Sequence, residues 1–185
     1  MNTKEAFSTV LTEINVVIGT LDQRQLGALI EDILAAERVF VMGAGRVRYL
    51  LKCFAKRLSH AGVDVHVIGE TTTPPIAAGD LLLVASCSGS TATPLAVATK
   101  AHVMGLRLCG ITGNADSPIA RQCHRLVVIP CAGDGGSGSR PASLQPMNNL
   151  FEQALHLVVD VVSWAVQEEK GVSPAALWER HANIE

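Results

Sequence analysis

The sequence is poor in the features that mark several large functional classes. Aromatic residues make up 4% of the 185 residues, too few for the stacking platforms that bind single-stranded nucleic acid. Charged residues make up 17% and the net charge is −2, so a binding surface for nucleic acid or an anionic membrane is not expected. No apolar run reaches the length of a transmembrane helix, and the N-terminus has no signal-peptide core. We therefore expect a soluble, cytoplasmic protein.

The chain also lacks the usual signatures of metal and disulfide sites. Its five cysteines are odd in number and form no CxxC pair. Its histidines are scattered without the spacing of metal ligands. Neither a zinc site nor a disulfide framework is indicated, and we expect no bound metal.

What the chain does contain is a regular alternation of short apolar strands and helical segments. Five strands are predicted, at residues 38–43, 64–69, 81–85, 107–112 and 125–130. Two helices are expected before them within residues 1–36, and helices and a tail after them within residues 148–185. A short helix is expected after Pro75, and another is expected to start at Asp116–Pro118 with proline in its first turn. This pattern predicts one α/β domain over residues 1–185 with a doubly wound, mostly parallel sheet, which binds ligands at the carboxyl ends of its strands.

The stretch Asp80–Pro94, DLLLVASCSGSTATP, is the most informative part of the sequence. An apolar run typical of a strand buried on both faces is followed by a hydroxyl-rich turn, Ser86–Thr91, and a helix start near Pro94. Such a turn directs backbone N–H groups, hydroxyls and the positive end of a helix dipole at one point, which suits a phosphate. The alternative is that Ser88 or Ser90 simply caps the helix.

Other segments are expected near the same edge of the sheet. Gly43–Arg48 and Thr112–Asn114 each follow a strand, and Ala132–Pro141 is a Gly- and Ser-rich loop that either covers a site or connects elements. Asn148 or Asn149 can cap a long helix that runs to about Lys170 and is apolar nearly all round. A helix of that kind in a chain of this size predicts a subunit interface.

Four segments together resemble the 6-phospho-3-hexuloisomerase family of the sugar isomerase (SIS) domain superfamily. They are the turns GAGR (43–46) and SCSGST (86–91), the segment SLQPMNNLFEQ (143–153) and the tail RHANIE (180–185). The two turns are shared across the superfamily, whereas the other two segments point to the hexuloisomerase branch. Glu70–Pro74 also fits that branch.

The resemblance implies a three-layer αβα, flavodoxin-like domain with a five-stranded parallel sheet, assembled into a homotetramer or dimer with shared active sites. It implies interconversion of D-arabino-hex-3-ulose 6-phosphate and fructose 6-phosphate through a cis-enediolate, without a cofactor. The implied catalytic residues are Glu152, as the base, and His181, reaching a neighbouring subunit's site. The implied substrate-binding residues are Gly45, Arg46, Arg48, Thr71, Thr72, Ser86, Cys87, Ser88, Gly89 and Thr91.

The chain departs from the family pattern in the sugar-phosphate pocket. Where the family's first turn has serine and glycine, this chain has Val47 and Arg48, and Ser90 occupies a position that is commonly acidic. Val47 removes one hydroxyl contact to phosphate, and Arg46 or Arg48 supplies a cation in its place or points to solvent.

Several candidate residues also have an ordinary structural interpretation. Glu152 could simply favour the first turn of its helix, and His181 could be an exposed tail residue. Thr71 and Thr72 could only form the turn before Pro74. Cys87 would have a lowered pKa at a helix N-terminus, but an isomerisation needs no nucleophile.

Three other functions remain open. A dinucleotide-binding oxidoreductase is suggested by Gly43–Gly45 and by Glu70 after the next strand, although the bulk of Arg48 argues against the fingerprint. A non-catalytic sugar-phosphate sensor is the second, and an isomerase acting on a different phosphosugar is the third.

Overall fold

A computed structural model describes residues 2–131 and 143–184, and the loop Ala132–Pro141 lies outside them. The helices are α1 (Thr3–Gly19), α2 (Gln23–Ala35), α3 (Gly45–His60), α4 (Ala92–Val103), α5 (Asn149–Glu169) and α6 (Pro174–Glu179). The strands are β1 (Val39–Met42), β2 (Val65–Val67), β3 (Leu81–Ser86), β4 (Arg107–Thr112) and β5 (Arg125–Val128). None of the described helices is long and apolar enough to cross a membrane.

The five strands form one parallel sheet in the order β2-β1-β3-β4-β5. The predicted doubly wound, flavodoxin-like architecture is thereby confirmed. The strands differ from their predicted bounds by at most a few residues, because the apolar runs that mark them extend slightly beyond the hydrogen-bonded ladder.

The central strands are buried on both faces, which explains their uninterrupted apolar sequence. Alternate residues of β1 face opposite sides: Val39 and Val41 belong to a large core under α2, α3 and α5, and Phe40 and Met42 belong to a smaller core under α4. Every residue of β3 is buried. The sheet is therefore the middle layer of three.

The predicted short helix after Pro75 is wrong. Residues 70–80 form a loop of turns and irregular backbone, and a carboxylate holds it in place. The Asp80 side chain accepts two hydrogen bonds from Arg38, at 3.0 and 2.7 Å, and one of 2.7 Å from the Ala77 N–H. These hydrogen bonds hold the loop in place without helical structure.

Two further local predictions need correction. The short helix expected to start at Asp116–Pro118 is a single 3₁₀ turn that begins later, at Ala120–Gln122, and the Ser117 hydroxyl accepts from the Ala120 N–H at 3.2 Å. Asn148 occupies the N-cap position of α5, but its side chain makes no capping hydrogen bond.

Candidate active site

The candidate site lies where the sheet's strand order reverses, between β1 and β3. These strands are neighbours, with Met42 opposite Val84, and the chain leaves both at the same edge. Helix α3 begins just after β1, and α4 begins after the turn that follows β3. In open α/β sheets this is the position of the ligand crevice.

The first turn brings α3 close to the sheet. A Cβ at Gly43 would lie 2.9 Å from Val47 Cγ1 and 3.2 Å from the Arg48 backbone nitrogen, so only glycine permits this approach. Gly45 begins α3 with a φ of +55°. Val47 is 8% exposed and belongs to the large core. The position that carries a hydroxyl in the family pattern is therefore a packing position here.

The second turn is braced from within. The Ser86 hydroxyl is buried, shares a 2.9 Å hydrogen bond with the Thr91 hydroxyl and accepts one of 3.1 Å from the Gly89 N–H. The exposed Ser88 hydroxyl accepts from the N–H of Ser90 at 3.2 Å. Ser86 thus shapes the turn, while Ser88 and Thr91 are exposed at its rim.

Gly89 locks this turn against the end of β4. Its φ is +64°, and a Cβ there would lie 2.0 Å from Ser117 Oγ, whose residue is fully buried. The Gly89 carbonyl accepts a 3.0 Å hydrogen bond from the Ile119 N–H. The Cys87 carbonyl accepts from Thr112 Oγ1 at 3.2 Å. Cys87 is 6% exposed and packs in the large core.

Helix capping separates the helices at this edge from the others. In the described chain, side chains cap α1 (Asn2, in a capping box), α2 (Asp22) and α6 (Ser173). The helices α3, α4 and α5 have no side-chain cap. The alternative interpretation, that Ser88 or Ser90 caps α4, is therefore wrong, since the N-cap residue is Thr91 and its hydroxyl bonds Ser86 instead. Uncapped helix N-termini at a crevice leave N–H groups for an anion.

Arg46 links the first turn to α5. Its Nε lies 2.8 Å from Glu152 Oε2, and its Nη1 donates to Asn149 Oδ1 at 2.9 Å. The Glu152 side chain is 12% exposed, whereas that of Arg46 is 68% exposed. The ion pair is close but not aligned as a hydrogen bond, so among the described groups this carboxylate oxygen has a charge partner and no donor aimed at it. The two predicted residues therefore meet at the crevice.

Arg48 turns to the other side of the first turn. Its Nη2 lies 3.2 Å from Glu70 Oε1, and Lys52 Nζ lies 2.6 Å from the same oxygen. A hydrogen bond from Lys52, with the charges of Lys52 and Arg48, lowers the pKa of Glu70. Glu70 therefore already pairs with two cations, which disfavours it as a ribose-binding acid.

Thr71 and Thr72 are exposed beside Glu70. The third threonine, Thr73, makes the turn: its hydroxyl donates to the carbonyls of Val67, at 2.7 Å, and Glu70, at 2.8 Å. Contacts from Thr71 and Thr72 to a sugar stay a prediction.

Comparisons with known proteins agree with this geometry. Residues 32–138 match the SIS domain family. The chain is 42% identical over 178 residues to a 3-hexulose-6-phosphate isomerase from Mycobacterium gastri, covering 96% of this chain and 89% of the relative. It is 34% identical to one from Bacillus subtilis over the full length of both chains.

The chain belongs to the 3-hexulose-6-phosphate isomerase family of SIS-domain proteins. A crystal structure from Methanococcus jannaschii, described as inferring that same function, superposes with a TM-score of 0.83 at 27% identity and covers 98% of this chain and 99% of the other. The predicted family, with its isomerase activity on sugar phosphates, is confirmed.

A carboxylate that sequence reasoning missed anchors the family segment before α5. Glu13 of α1 accepts hydrogen bonds from the Leu144 N–H at 2.7 Å, the Ser143 hydroxyl at 2.7 Å and the Gln145 side chain at 2.9 Å. Burial acts to raise the pKa of Glu13, but these hydrogen bonds outweigh it and the pKa is lowered. Nothing in the sequence around Glu13 indicates this role, because the residues that it binds lie about 130 positions later in the chain.

The other family residue, His181, is far from the crevice of its own chain. Its ring stacks on His60, the last residue of α3, whereas Gly45 is the first. The length of α3 places these ends about 22 Å apart at 1.5 Å per residue. Within one subunit the structure therefore does not bring His181 together with Glu152.

Proposed function

We propose that this protein interconverts D-arabino-hex-3-ulose 6-phosphate and fructose 6-phosphate. The carrying observation is that three uncapped helix N-termini meet at one edge of the sheet with a largely buried carboxylate, Glu152, beside them. An anion site and a carboxylate base are the two groups that this reaction needs.

The turn after β3 would hold the phosphate. The first N–H groups of α4 have no acceptors within the helix and point out of its N-terminus. Ser88 and Thr91 are exposed at the same turn, and Ser86 holds Thr91 in place through the 2.9 Å hydroxyl contact. Because Ser86 is buried, we assign it to shaping the cradle and the exposed groups to binding.

Glu152 would move the proton. Its carboxylate takes the hydrogen from C2 of the 3-ulose, the resulting cis-enediolate carries the charge on its oxygens, and the same carboxylate returns a proton to C3. The proton on O2 is transferred to O3 in the same sequence, so the carbonyl moves from C3 to C2 and no atom is lost. A carboxylate on the rigid first turn of α5, beside the buried Phe151, has a fixed position for this shuttle.

A second subunit would complete the site. His181 is exposed and stacks on the far end of α3, a helix about 22 Å long that begins at the crevice, so we infer that it helps transfer the oxygen-bound proton in a neighbouring copy. The residues Leu157, Val161 and Trp164 form an exposed apolar stripe on α5, with 43%, 56% and 64% exposure. Such a stripe suits an interface between copies. We therefore infer a homo-oligomer, a dimer or tetramer, with shared sites.

The test follows hydrogen exchange by NMR. Fructose 6-phosphate in D2O should acquire deuterium and form the 3-ulose with the wild-type protein, and Glu152→Gln should lower the rate by about 10³. Glu169→Gln is the matched control, because Glu169 is an exposed carboxylate on the same helix. Wild-type protein that exchanges no hydrogen, or Glu152→Gln protein as active as the control, would contradict the proposal.

A second candidate is an isomerase acting on a different phosphosugar. The observation in its favour is the buried Val47, which removes the hydroxyl contact of the family pattern, together with the pairing of Arg48 with Glu70 instead of with the crevice. A panel of ketose and aldose phosphates in the same NMR assay separates the two candidates by their kcat/KM. A protein that binds these compounds and exchanges no hydrogen would be a sensor instead.

A further inference from the structure

The C-terminal tail is docked on the end of α3 by specific contacts. Arg180 Nη1 donates a 3.1 Å hydrogen bond to the His60 carbonyl, one of the carbonyls left unpaired at a helix C-terminus. A cation at this position is also favoured by the helix dipole. A Cβ at Gly62 would lie 3.2 Å from Arg180 Cζ, so the glycine makes room for the guanidinium.

The side chain of His60 is the platform on which His181 rests. The two rings stack with centroids 5.3 Å apart and an interplanar angle of 29°. Trp178 contacts His181 from another direction, with a centroid separation of 5.3 Å. His181 Nδ1 lies 2.9 Å from the Ala182 carbonyl oxygen, and with the proton on Nδ1 this contact is a hydrogen bond that leaves Nε2 as an acceptor.

His60 is an unusual choice for a purely structural position. It is 5% exposed, and its Nε2 is buried without a hydrogen-bond partner among the residues that the structure describes. Leaving a buried polar atom unpaired costs free energy that an apolar residue of similar size would avoid. The His60 ring instead stacks on His181.

The surroundings of His60 disfavour its charged form. Burial, followed by the positive charges of Lys56, His181 and Arg57, lowers the pKa of His60. Arg180 of the tail adds a further cation nearby. Asp160 of α5 lines a surface cavity together with His60. The uncharged form of His60 is therefore the one favoured in the stack on His181.

We propose that His60 is a positioning residue for the reaction: it orients His181 on the outside of one subunit for delivery to the site of another. This inference rests on the proposed function, in which His181 serves a neighbouring copy. His60 itself touches no substrate.

The test compares His60→Leu with His60→Phe in the full chain. Leucine fills the buried space but removes the flat ring, so kcat should fall about tenfold while KM for the sugar phosphate stays unchanged. Phenylalanine restores a stacking surface and should recover most of that loss. The double variant His60→Leu/His181→Ala should be no slower than His181→Ala alone, because His60 acts only through His181.

A structural measurement accompanies the kinetics. In His60→Leu protein the ring resonances of His181 should move toward those of an unstructured histidine, because the stacked partner is gone. Unmoved resonances would overturn the proposal, and so would wild-type kcat in His60→Leu, an equal loss in His60→Phe, or additive effects in the double variant. If His181→Ala itself retains full activity, the proposed role of His181 fails; if only His181→Ala is slow, the inference about His60 fails alone.

Discussion

Gly89 provides the sharpest test of how the turn after β3 is built. We expect Gly89→Ala to disrupt that turn, because the new Cβ would lie 2.0 Å from Ser117 Oγ and 2.3 Å from Ser117 Cβ. Ser117 is fully buried, so its side chain cannot rotate into solvent. Either the turn or the loop beyond β4 must shift.

The size of the effect can be worked out against a matched glycine. Gly105, after α4, has a similar φ of +69° but nothing within 4 Å of the Cβ position. Gly105→Ala therefore carries only the left-handed backbone cost, partly offset by a stiffer unfolded chain, or about 1 kcal/mol. Gly89→Ala adds overpacking of about 1–3 kcal/mol. The difference between the two variants measures the contact with Ser117.

Urea unfolding monitored by circular dichroism gives the free energy of unfolding of each variant. The KM of sugar-phosphate isomerisation shows whether the turn after β3 still binds the substrate. Gly89→Ala should be less stable than Gly105→Ala by about 1–3 kcal/mol and should also raise KM. Gly105→Ala should leave KM unchanged, since Gly105 lies at the opposite end of α4.

A second-site change tests the assigned clash. Ser117→Gly removes both overlapping atoms, so the double variant should be more stable than the sum of the single effects predicts. Equal stabilities of Gly89→Ala and Gly105→Ala, or strictly additive effects in the double variant, would refute the packing of the turn against Ser117.

The remaining predictions concern charges and assembly. Arg46→Met should reduce kcat/KM about tenfold because it removes the partner of the candidate base, while Arg48→Met, whose partner lies on the β2 side, should change it less than about threefold; steady-state kinetics separates them. Asp80→Asn should lower the urea midpoint at pH 7. Burial acts to raise the pKa of Asp80, but hydrogen bonds from Arg38 and Ala77 and the Arg38 charge outweigh it and lower it. The stability contributed by Asp80 is therefore present above about pH 4 and is lost as the pH falls through the lowered pKa. The urea midpoints of wild type and Asp80→Asn should converge in acid. A difference that stays constant with pH would contradict this assignment. Val161→Lys, at a site 56% exposed in one subunit, should abolish assembly and activity together without unfolding the monomer, as measured by analytical ultracentrifugation and circular dichroism; an intact oligomer would exclude this stripe as an interface.

Local patterns in the sequence were sufficient for the architecture. The run Leu81–Ala85 is apolar without interruption because β3 is buried on both faces, and the Ser- and Gly-rich turn after it follows from the geometry of a strand-to-helix connection. Since parallel strands all end at one edge of a sheet, the order of strands and turns also predicted where the site would lie. The segment before α5 and the C-terminal tail indicated the family.

Only the tertiary structure decided what each side chain does there. Ser86 and Ser88 look alike in the sequence, yet one is a buried brace and the other is exposed. Arg46 and Arg48 are two positions apart and turn to acids on different elements, Glu152 and Glu70. The burial and the partners of these side chains depend on groups distant in the chain, whereas sequence periodicity indicates only which face of its own helix or strand a residue occupies. For the same reason the stacking of His181 in the tail on His60, at the far end of α3, could not be read from its motif.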